Sequence, residues 1–120
     1  MDDQLATALD QLTGFHPNLD AITAHLEALH TLASSPTLTR DHRQALVARL
    51  AGSYEDDLIT AVALVAKALC TIPTDTADPI SEDDAKTAEQ HGQDLALRLT
   101  EPYLHQPAAE AAYVIDPTTP

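Results

Sequence analysis

Six histidines are the residues of this chain best suited to chemistry: His16, His25, His30, His42, His91 and His105. A histidine can ligate a metal or carry a proton near neutral pH, but it needs partners at a fixed spacing. Glu27 and His30 stand three apart, the helical spacing with which bundle proteins hold two metal ions. Such a site needs a second Glu-x-x-His pair and two further inward glutamates. This chain has no second pair and six glutamates in all. On a helix whose apolar face centres on Leu26 and Leu29, His30 flanks the core and Glu27 lies toward solvent. His25 flanks the other edge of the same face. The single cysteine, Cys70, sits in an apolar run with no base near it in sequence, which marks an inert thiol and rules out an intrachain disulfide. No zinc-ligand spacing, phosphate loop or nucleophile elbow occurs. The expected catalytic, cofactor-binding and metal residues are therefore none.

Arg98 and His105, in "RLTEPYLH", are seven positions apart. This segment resembles the Arg-x(4–6)-His motif of the HEPN ribonucleases, which are all-α bundles. The resemblance implies an Arg that steadies a phosphate and a His that handles the proton. It covers eight residues, and Pro102 interrupts the helix that would hold the two in register.

Charge sets a further boundary. The formal net charge is -13, and residues 1–39 contain no Lys or Arg. Such a balance disfavours direct binding to nucleic acid or to anionic membranes, both of which need clustered bases. A basic protein partner fits better. Arg40, His42, Arg43 and Arg49 form the one basic cluster and are expected to neutralise nearby acids. Asp75, Asp78, Glu82, Asp83 and Asp84 lack the alternating ligands and the glycine of a calcium loop. In charge and size alone, the chain resembles the small acidic helical inhibitors of phage that imitate DNA.

The elements that must position these groups are helical. Alanine occurs 21 times and glycine three, hydrophobic residues make up 44 %, and no strand-like alternation appears. The pattern predicts helices over about 3–13, 18–34, 41–51, 54–72 and 81–101. Gly14 is the expected stop of the first, Asn18 the N-cap of the second and Thr39 that of the third. Ser53-Tyr-Glu-Asp56 and Ser81-Glu-Asp-Asp84 are the expected capping boxes of the last two. Ala85, Ala88 and Gly92 should let a neighbouring helix approach closely. One or two further turns are expected between Pro107 and Tyr113.

The run "LITAVALVAKALCTI", Leu58–Ile72, is too short and too closely flanked by acids to cross a membrane. Only Thr60, Lys67 and Thr71 mark a polar strip on it, so it must be covered on most sides. The expected architecture is an all-α, single-domain bundle of four to five helices over residues 1–113. Its apolar central helix spans about 54–72, and a mobile tail follows at 114–120. The start "MDDQLATALDQL" has no basic region of the kind that opens a secretory signal, which points to the cytoplasm. The function expected is a non-enzymatic, acidic protein-binding or regulatory module. Its partner is a basic protein or a second copy. A DNA-mimic inhibitor and a HEPN-like RNase are the alternatives.

Overall fold

A computed structural model describes residues 3–73 and 75–118. The described residues are all-α, without strands. The helices are α1 (Asp3–Leu12), α2 (Pro17–Ala33), α3 (Arg40–Val47), α4 (Leu58–Leu69), α5 (Glu82–Leu99) and α6 (Pro102–Ile115); α3 runs directly into one π-helical turn, Ala48–Gly52. None of these helices is long and apolar enough to cross a membrane.

The chain divides into two compact units, residues 1–39 and 40–120. The first is an α1–α2 hairpin. Gly14 ends α1 at a φ of +88°, the left-handed conformation that glycine adopts without a Cβ penalty. Its N–H is bonded by the Asp20 carboxylate at 2.8 Å. The cap of α2 falls two residues before the expected Asn18: His16 is the N-cap, its Nδ1 accepts the Asn18 N–H, and Pro17 takes the first helical position.

In the second unit, α4 packs on α5, while α6 packs on α3 and the π-turn. The two serine-led boxes fared differently. Ser81 caps α5 as expected, its Oγ accepting the Asp84 N–H at 3.1 Å. Ser53 does not cap α4, which starts four residues later than expected, at Leu58. Tyr54 has a φ of +62°, which a helix interior does not allow, and the N-cap is Asp57. The last helix is longer than expected. Pro102 opens α6 rather than only ending α5, and α6 continues to Ile115, two residues into the expected tail, with Pro107 inside it.

The expected close approach on α5 is present. A Cβ at Gly92 would lie 2.6 Å from the Cys70 Cβ, closer than carbon atoms pack. Gly52 meets α6 in the same manner, since a Cβ there would lie 2.9 Å from the Ala109 nitrogen. Small residues set these distances, and they also limit what is buried. Among the described residues, the buried apolar side chains are Leu9, Ala63, Ala96 and Ala112.

Candidate functional site

The largest fully buried side chain among the described residues is His105, at the first turn of α6. Its Nδ1 lies 2.6 Å from Asp57 Oδ2 and 2.9 Å from the Ala51 carbonyl. Its Nε2 lies 2.6 Å from the Leu99 carbonyl. A carbonyl oxygen can only accept, so both ring nitrogens carry hydrogens and the imidazole is a cation. The Asp57 side chain is likewise fully buried, and it accepts N–H bonds from Ser53 at 3.2 Å and from Thr60 at 2.9 Å. The pair thus joins four pieces: the π-turn, the start of α4, the end of α5 and the start of α6.

Burial pushes the His105 pKa down, but the Leu99 carbonyl, the Asp57 carboxylate and the Ala51 carbonyl outweigh it and hold the pKa above its ordinary 6.5. Burial likewise pushes Asp57 up. Hydrogen bonds from Thr60, His105 and Ser53 outweigh that effect and leave its pKa below the ordinary 3.8. The Tyr54 ring lies beside the imidazole, with centroids 5.9 Å apart. Ser53 Oγ donates to the Ala48 carbonyl and Arg49 to the Asp56 carbonyl, which straps down the loop that carries Asp57.

An Asp–His pair is the arrangement of a general base, which must present a free ring nitrogen to substrate. Here Nε2 is occupied by Leu99 and no part of the ring reaches solvent. The pair acts as a structural clamp. Arg98 does not join it: the guanidinium is exposed and pairs with Asp94, one turn back on α5, at 3.0 Å. The Arg98–His105 spacing therefore places one residue on the surface and the other in the interior.

The other sequence candidates are dispersed. Glu27 is exposed and His30 half-buried, while His25 and His91 are exposed. Among the described residues no three His, Cys, Asp or Glu side chains converge as a metal site would require. In the basic cluster, Arg40 donates to the carbonyls of Ile115 (3.0 Å) and Asp116 (3.2 Å), closing the C-terminus of α6. Cys70 is half-buried at the C-cap of α4, against Gly92.

What stands open is α4 itself. At about 100° per residue, Ile59, Ala63, Ala66 and Cys70 share the face turned to α5. Ala63 is fully buried and the other three are half-buried. Thr60, Lys67 and Thr71 form the expected polar strip. A third strip, Leu58, Val62, Val65 and Leu69, falls within one narrow sector and is uncovered: these side chains are 39, 48, 60 and 78 % exposed. Along this strip the other helices of the second unit leave α4 uncovered. Past its C-terminal end, Ile72, Pro73, Pro79, Ile80, Glu82 and Ala85 line a pocket of about 290 Å³.

No protein-family model matches this chain, and no curated protein or solved structure matches it either.

Proposed function

We propose that this chain is a non-enzymatic protein-binding module of the cytoplasm, and that the outer strip of α4 is the surface it binds with. The observation that carries this reading is the exposure of Leu58, Val62, Val65 and Leu69 in one row. Single exposed apolar residues are ordinary on protein surfaces, whereas a contiguous row on a regular helix is the form in which helix-recognising interfaces are built. The clamp at His105 supports it from the other side, by fixing the start of α4 so that the strip is presented on a rigid element.

The test is a photo-crosslinking amino acid installed at position 65, and separately at position 87 on exposed α5 surface, in the native host. Covalent adducts with another polypeptide are expected from position 65 and not from position 87. Equal yields from both, or none from 65, would remove the reading.

A further inference from the structure

The two ends of the strip are predominantly acidic, with one base beside each: Arg49 against the Asp56 carbonyl and Lys86 paired with Glu82 at 3.7 Å. Exposed Glu55 and Asp56 lie just before Leu58, at the N-terminal end of α4. The chain beyond its C-terminal end carries Asp75 and Asp78, then Glu82, Asp83 and Asp84 in the first turn of α5, all exposed. Between them Leu58–Ile72 has no carboxylate and a single base, Lys67, which is on another face of the helix. The strip is about 16 Å long from Leu58 to Leu69, three helical turns. Beyond it, the pocket of Ile72, Pro73, Pro79 and Ile80 has Glu82 in its wall, exposed and paired with Lys86 at 3.7 Å, and its apolar lining suits an aliphatic stem whose cationic head joins that carboxylate.

We infer that the occupant of this strip is an amphipathic helix of a partner protein, apolar along its middle and basic at both ends. The inference rests on the protein-binding reading above and adds the partner's chemistry. Charge separates this occupant from a second copy of the chain. Two α4 strips laid together, antiparallel or parallel, bring an acidic end against an acidic end twice, in chains that each carry -13. Like charges juxtaposed in this way oppose pairing. A helix with Lys or Arg at its ends meets a favourable field at both, and its apolar middle covers Val62 and Val65.

The probes are two synthetic helical peptides with the same Leu/Ala face, one ended by Lys-Arg-Lys at both termini and one by Glu-Asp-Glu. Binding to the full chain is read by fluorescence anisotropy. The basic-ended peptide is expected to bind at least about tenfold more tightly than the acidic-ended one, and to lose about tenfold as salt rises from about 20 to about 300 mM. Val65→Asp is expected to abolish binding. The combined variant Glu55→Gln, Asp56→Asn, Asp75→Asn and Asp78→Asn changes exposed residues outside the helices, and is expected to bring the two peptides close to equal affinity with an unchanged far-UV circular dichroism spectrum.

Equal affinity of the two peptides for the unaltered chain overturns the inference, as does binding that survives Val65→Asp. So does a chain whose mass by light scattering doubles with concentration while it excludes both peptides, which assigns the strip to a second copy. Absence of any peptide binding to a monomeric chain overturns it too. In each case crosslinking from position 65 reports separately on the protein-binding reading.

Discussion

The clamp lies at the N-terminus of α4 and the strip along its outer side, and each reverses the ordinary distribution of polarity. At the start of the helix a carboxylate and an imidazolium are sealed from water. Along its outer side, two leucines and two valines face water. A fold that maximised its own stability would exchange them, since a buried ion pair is rarely worth more than well-packed apolar groups. The clamp is instead useful for what it positions. One imidazolium meets three carbonyl or carboxylate acceptors and one carboxylate accepts two N–H groups, so four segments of backbone are held without a large side chain between them. The strip is then free to remain uncovered, because the helix does not depend on it to stay in place.

The sharpest way to break this contrast is at His105. His105→Ala leaves a buried carboxylate without its cation and is expected to destabilise the second unit by about 3 kcal/mol, read by urea denaturation. Gly52→Ala comes next. Its Cβ would press on the α6 backbone, which cannot yield as a flexible side chain would, and a loss of about 2 kcal/mol is expected.

Stability against pH sharpens the same contrast. Because the His105 pKa is raised, its contribution is whole below 6.5 and is lost as pH climbs through the raised value. Because that of Asp57 is lowered, its contribution is whole above 3.8 and is lost as pH falls through the lowered value. Urea midpoints are expected to decline on the alkaline side of 6.5, and the decline should be absent in His105→Ala. The smallest effect belongs to the strip. Val65→Asp is expected to change stability by less than about 0.5 kcal/mol, as at other exposed positions. A large loss there would show that the strip is part of the core.

The sequence made the local devices legible and hid the long-range ones. The all-α class, the stop at Gly14, the cap at Ser81 and the small face of α5 all follow from neighbours a few residues apart. Ser53 and Ser81 each head a Ser-x-x-Asp pattern, yet only Ser81 caps a helix. What disqualifies Ser53 is the turn at Tyr54 and the carboxylate of Asp57, which is fixed by a histidine 48 positions later. The burial of His105 is not legible because its acceptors come from three segments that no spacing rule connects. The length of α6 was hidden for a different reason. Pro102 reads as a break and Pro107 as the start of a last short turn, but Pro102 is at the helix start, where no donor is needed, and Pro107 inside the helix forgoes a single intrahelical bond. On α4, the polar strip was readable and the uncovered one was not, because an apolar side chain carries no mark of whether its own chain will cover it.

Arg40 has a consequence of a topological kind. It is the first residue of the second unit, and its guanidinium holds the carbonyls of Ile115 and Asp116 at the far end of that unit's last helix. Entry and exit of the chain are thus side by side, closing residues 40–116 into a loop-like unit. A unit whose ends meet can be opened elsewhere and rejoined there, or set into a surface loop of another protein, with its internal packing unchanged.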